Sequence, residues 1–208
     1  MGGRAGGGAG MGSGSRGLQS GATERGMSRQ LAKAVLDKEN NIKNNPSESL
    51  HVFDDNGKET YQAFSKPGRP YEVEYDGKAV KDKVVIHNHP RALGKTGVES
   101  FGASLGGADL TGMVKNNMKE MRAISPTYTY SMKRPKGGWG VTEKQFTSRY
   151  KAAAKKLQNA DYKFLSTYKG TDKQWWAANS RLESTFYHRL NKQIAKDFGW
   201  TYTKKKNK

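Results

Sequence analysis

Cysteine is absent from the 208 residues, which removes disulfides, thiolate zinc knuckles and cysteine nucleophiles at once. Imidazole and carboxylate are left as the strong metal ligands, and histidine itself is scarce at four residues. No window approaches the apolar length needed to span a bilayer, and the glycine-rich start has no hydrophobic region of the secretory kind. A soluble chain with no membrane partner and no cleaved export signal is expected. Apolar residues are also nearly missing from the first 26 positions, which include eleven glycines. A flexible tail over 1–26 is expected there, leaving about 180 residues for one core with an appendage.

Acidic residues are scarce in one half only. Residues 1–109 hold 15 Lys+Arg against 13 Asp+Glu, and residues 110–208 hold 22 against 6, so the halves carry +2 and +16. A surplus of that size suits nucleic acid or another polyanion, and equally a merely solvated basic face.

What is present follows a clear order. Ser28 can cap a helix carrying Leu31, Ala34, Val35 and Ile42, which must end before Asn44-Asn45-Pro46, giving a helical arm over 27–45. SLHVF alternates as a strand, Asp55-Asn56-Gly57 is a hairpin turn, and KETYQAF returns as the partner. YEVEY before Asp76-Gly77 predicts a further strand and turn, and Val84 to Ile86 a strand near a sheet's centre. After the loop RALGKTGVESFGASLGG, a helix is predicted from Ala108 to Glu120, then strands in MRAIS and YTYSMK. Residues 46–135 thus predict one α/β domain. Beyond the breaker Lys136-Gly137-Gly138-Trp139-Gly140, Thr142 can cap a helix to about Ala160 and 172–198 supplies another, with WTYTKKKNK as a tail. Residues 136–208 are read as a basic helical extension.

The run VVIHNHP carries the chemistry. Residues i and i+2 of an extended chain point the same way, so His87 and His89 present two imidazoles together at a strand's end. In an isolated HxH they would be a core histidine and a loop histidine. Asp109 opens the following helix, where aspartate is also favoured simply as a cap. Two histidines and one carboxylate nevertheless make the ligand count of a catalytic zinc site with an open position. His51 in SLHVF reads as structural, and His188, Trp175, Trp176, Phe186, Tyr187 and Trp200 as packing residues. GASLGGAD fits no phosphate-binding template.

HNHP followed by GADL resembles the JAMM motif of JAB/MPN metallopeptidases, His-x-His-Pro and then Ser-x-x-Asp, shared by RadC-type proteins. NNMKEMRAISPTYTYSMKRP resembles the segment following the JAMM helix in phage and prophage head-associated proteins. The likeness covers about residues 46–135. It implies a JAB/MPN-like, cytidine-deaminase-like mixed sheet with helices, and zinc held by His87, His89 and Asp109. In PSESLHVFDDNGKE it places the general base at Glu48. One position departs: where the family has its oxyanion-stabilising serine, this chain has Gly106, and the nearest hydroxyls are Ser104 and Ser100. Ser104 is the candidate substitute. The contiguous triplet is not the dispersed motif of HNH nucleases. The resemblance implies a zinc-dependent hydrolase of a peptide or isopeptide-linked protein, phage or prophage encoded, in the bacterial cytoplasm or on the virion. The alternative is a non-catalytic virion or head-associated structural protein that binds nucleic acid or a phage partner through its basic half.

Overall fold

The computed structural model describes residues 27–90 and 104–207; the glycine-rich segment 1–26 and most of the loop after Pro90, Ser100 included, lie outside the described residues. Helix α1 (Arg29–Ile42) starts where Ser28 Oγ accepts the Leu31 N–H at 3.1 Å. Its stripe of Leu31, Val35 and Ile42 is buried against Phe53, Val84, Ile86 and Ile124. Strands β1 (Ser49–Phe53) and β2 (Glu59–Phe64) form the hairpin. Asp54 holds its turn by accepting the N–H groups of Asn56 and Lys58. Gly57 is required in that turn: its φ is +81°, and a Cβ would lie 2.9 Å from the carbonyl oxygen of Gln30.

A short helix α2 (Gly77–Val80), strand β3 (Val84–Asn88), helix α3 (Gly107–Lys115) and strands β4 (Glu120–Ile124) and β5 (Tyr128–Lys133) follow. Two long helices, α4 (Glu143–Ser166) and α5 (Asp172–Phe198), and a last strand β6 (Thr201–Lys206) complete the chain. The sheet is mixed, in the order β2-β1-β3-β4-β5-β6, with β3 and β4 parallel and the other neighbours antiparallel. The chain is therefore α/β. No helix among the described residues is long and apolar enough to cross a membrane.

The central strands are buried on both faces, and their two-residue period decides what each face holds. Val84 and Ile86 meet α1, whereas Val85 joins Leu50, Val52, Leu110, Met113, Phe146, Leu190 and Trp200 on the other side. His87 and His89 continue the Val85 series toward α3. Glu48 continues the Leu50–Val52 series to the same face.

Three expected elements differ. Residues 71–75 form no strand; instead Val73 and Tyr75 pack on the core from the side, and the Tyr75 hydroxyl comes so close to α3 that a Cβ on Gly112 would meet it at 2.4 Å. The helix expected to reach Glu120 stops at Lys115, because Asn117 adopts a left-handed φ of 51° and Glu120 is needed as the partner of Val84 in the parallel ladder. The WTYTKKKNK segment is not a tail. Gly199, at φ 67°, ends α5, Trp200 buries its ring beside Trp139, and β6 pairs along the whole of β5. Helix α4 is capped by Thr142 as expected and runs on to Ser166. Residues 136–207 thus return to the sheet and share its core.

Candidate metal centre

The β1/β3 ladder pairs Leu50 with His87. Extending this register beyond the strand brings Ser49 beside Asn88 and Glu48 beside His89. Asn88, fully buried between the two histidines, fastens that junction. Its Oδ1 accepts from Ser49 N at 2.8 Å and Ser49 Oγ at 2.9 Å, and its Nδ2 donates to the Ser47 carbonyl at 3.0 Å. Glu48 sits between the two clamped residues, and its own N–H donates to the Pro70 carbonyl at 2.7 Å. The polar relay continues from Ser49 Oγ to His51 Nε2 at 3.1 Å and from His51 Nδ1 to Glu59 at 2.6 Å. His51 is thus held inside a hydrogen-bonded relay.

His89 lies just past β3, held by its N–H donating to the Ile124 carbonyl at 2.7 Å. The Nε2 atoms of His87 and His89 are 2.9 Å apart. Two imidazole nitrogens on one tetrahedral zinc, at about 2.0–2.1 Å each, stand about 3.3 Å apart, so the pair already has nearly the spacing of co-ligands. Ligand atoms of Glu48, His87 and His89 lie within 4.8 Å of one another. Asp109 joins them from α3, with Oδ1 3.5 Å from His87 Nε2 and Oδ2 3.8 Å from His89 Nε2. Its Oδ2 also accepts the Gly106 N–H at 2.7 Å, so the carboxylate caps its own helix while facing the histidines. Glu48, His87, His89 and Asp109, remote in sequence, therefore converge. The trio whose ligand atoms, one from each residue, lie within 4.8 Å of one another is Glu48, His87 and His89, whereas Asp109 of the expected ligand set reaches the two histidines through different oxygens.

The electrostatics are those of a crowded, partly desolvated site. Burial is the largest influence on Glu48 and drives its carboxyl up; His87 opposes this, Asp109 and Glu72 reinforce it, and the group settles at about 7. Burial also works against a charged His87, but the Asp109 carboxylate, by charge and hydrogen bond, and Glu48 outweigh it and raise the imidazole. Asp109, despite burial, is held down at about 2 by His87, His89 and the Gly106 N–H. An anionic pocket that draws positive charge onto His87 is suited to a cation. His87 Nδ1 finds no hydrogen-bond partner among the described residues, whereas metal-binding histidines usually have their second nitrogen supported.

The site opens into a cavity of about 510 Å³ lined by Glu48, Tyr71, His89, Ser104, Asp109 and Tyr187, among others. Ser104 reaches this wall, but its buried hydroxyl bonds the Tyr202 hydroxyl at 2.7 Å and accepts from Asn191 Nδ2 at 3.0 Å. Its hydroxyl is thus already engaged. At Gly106 a Cβ would stand 3.6 Å from Asp109 Oδ2, an ordinary contact, and φ is −80°, so a side chain fits there. His188 packs beside Tyr202, with Nδ1 2.9 Å from its hydroxyl.

Asn88, Tyr187, Asn191 and Tyr202 take part in or around the site without having been singled out for it from sequence. The one signal for Asn191 is a polar residue in the apolar stripe of Leu190 and Ile194, where it is fully buried. Compared with protein-family models, curated proteins and solved structures, the chain finds no match.

Proposed function

We propose that the protein is a zinc-dependent hydrolase of JAMM type acting on a peptide or isopeptide bond. The observation that carries this reading is the convergence of Glu48, His87, His89 and Asp109, with Glu48, His89 and Asp109 lining one cavity and His87 buried behind them. The donor set fits zinc, which favours imidazole nitrogen and carboxylate oxygen and commonly keeps three protein ligands in catalytic sites. His87, His89 and Asp109 would hold it. When bound, zinc supplies Lewis-acid polarisation of a carbonyl and of water.

Glu48 is the general base. A carboxyl tuned to about 7 is close to the value that serves proton transfer at neutral pH. It takes a proton from the attacking water as the new C–O bond forms and returns it to the amine nitrogen as the C–N bond breaks. Asn88 keeps Glu48 in place by clamping the residues on both sides of it. A second hollow of about 710 Å³ shares Tyr75 and Ala108 with the first.

The second reading, a non-catalytic phage structural protein that retains the metal, is favoured by Gly106 and by the engaged hydroxyl of Ser104, because neither position then offers a free hydroxyl to an oxyanion. Zinc stoichiometry measured alongside turnover of a panel of peptides and isopeptides separates the two. Stoichiometric zinc with turnover supports the hydrolase; stoichiometric zinc without turnover on any substrate supports the structural protein.

A further inference from the structure

Helix α4 presents a stripe to solvent that neither the core nor the metal centre uses. Lys144, Ser148, Lys151, Lys155, Gln158 and Tyr162 recur at the spacing of one helix face and are all exposed. Lys156 and Lys163 flank them, also exposed. From Lys144 to Tyr162 the stripe runs about 27 Å at 1.5 Å per residue. None of these five lysines forms an ion pair among the described residues. The acids of α4 do not neutralise them: Glu143 faces Lys115 at 4.0 Å, and Asp161 turns inward to a two-pronged bond with Arg189 at 2.8 and 2.6 Å.

The stripe ends on a ring left in water, Tyr162, 75% exposed. Beyond the α4–α5 turn Trp176 is 64% exposed, whereas Phe164, on the opposite side of α4, lines a hollow shared with α5. Trp175 is fixed against the end of α4 by its Nε1 donating to the Leu165 carbonyl at 3.0 Å, which leaves Trp176 on a firm base. A large ring exposed at the end of a basic stripe marks a contact surface.

We infer that the outward face of α4 and the aromatic hairpin tip form a docking face for single-stranded nucleic acid, with phosphates along the lysines and bases on Tyr162 and Trp176. The unneutralised lysines select a polyanion over a neutral apolar partner. A second copy of this chain is disfavoured, because residues 110–208 carry +16 in each copy. The rings select a single strand over a duplex, since only unpaired bases offer free faces for stacking.

The test is fluorescence anisotropy of labelled oligo(dT) with the full-length protein over a salt series, with the matching duplex in parallel and circular dichroism of each variant as the folding control. Single-strand contacts lower log affinity by about 0.7 per phosphate for each unit of log salt. The combined substitution Lys151→Gln, Lys155→Gln is expected to reduce that slope by about 1.4. Tyr162→Ala and Trp176→Ala, both at exposed positions, are each expected to weaken binding about 5- to 150-fold with the slope unchanged. Tighter binding of the single strand than of the duplex completes the expectation. No binding at low salt, preference for the duplex, or indifference to the ring substitutions would overturn the proposal. Capture of anionic vesicles or an acidic protein without oligonucleotide binding would overturn it too. None of these outcomes depends on zinc or on hydrolysis.

Discussion

Asn88 and Gln158 are both amide side chains on regular elements, and their surroundings are opposite. Asn88 is fully buried in β3 and spends its amide on Ser47 and Ser49. Gln158 lies exposed between lysines on α4. The same contrast separates the two halves of the molecule. Around the sheet and α3, polar groups are buried and cross-fastened: Arg122 donates to Glu39 and to Glu120, all three buried. On the outer hairpin, polar and aromatic groups face water. Buried, satisfied polar groups define a geometry, whereas exposed ones define what the surface attracts. Under the proposed readings the first half would serve chemistry at a point, and the second contact over an area.

The largest effect that could break this contrast is on rate. Glu48→Gln should retain zinc and lose hydrolysis by about 10²–10⁴, because an amide keeps the hydrogen bonds but cannot accept the proton. His87→Ala and Asp109→Ala should lose zinc itself. Metal analysis beside initial rates checks all three, and undiminished turnover in Glu48→Gln removes Glu48 from the mechanism.

Next in size is stability. Asn88→Ala leaves Ser49 N–H and the Ser47 carbonyl without their partner; with about 1–3 kcal/mol for each orphaned group, a loss of about 2–6 kcal/mol is expected. Gln158→Ala should fall within about 0.5 kcal/mol. Urea unfolding of the two variants measures the difference. Equal values would show that the clamp is not what holds the Glu48 junction.

A smaller effect concerns pH. Glu48 has a raised value in the folded state, so the stability it contributes is fully present below its unfolded value of 4.5 and is lost as pH rises through about 7. Asp109 acts in the opposite sense: its contribution is present above 3.8 and is lost as pH falls through about 2. The metal-free protein should therefore lose stability relative to Glu48→Gln between pH 4.5 and 7. Thermal unfolding of both at several pH values within that window tests the sign. A parallel pair of curves would contradict it.

These contrasts were unevenly legible in the sequence. The two-residue period placed His87 and His89 on one side, and the helix start placed Asp109, because both are local rules. Thr171 and Gly199 bracket α5 for the same reason. Asn88 could not be read as a clamp, since its partners arrive through the register of β1 on β3, a fact about tertiary pairing. Strand β6 was hidden because TYTKKK is mostly exposed and lysine-rich; it pairs at the edge of the sheet, where long cationic side chains reach solvent. YEVEY misled in the other direction: its alternation suits a strand, but the segment joins no ladder, not even at the edge strand β2, and instead packs Val73 and Tyr75 on the core.

The finest expected effect lies at Gly106, where the chain departs from the pattern it otherwise resembles. Gly106 is the N-cap of α3, with extended backbone that any residue adopts and no side-chain cap bond. A hydroxyl introduced there as Gly106→Ser would accept an N–H of the first turn, as cap residues do, for a gain of a few tenths of a kcal/mol over glycine. Because the oxygen would then serve as acceptor, its own O–H stays free to donate toward the cavity that Gly106 lines. One oxyanion donor is worth about 10²–10³ in rate in an adapted site, and one added to an unadapted site should recover about a tenth of that. The expected outcome is unchanged zinc content, a slightly higher melting temperature and faster hydrolysis. A higher melting temperature without faster hydrolysis would assign the hydroxyl to the helix alone and leave backbone N–H groups as the oxyanion donors.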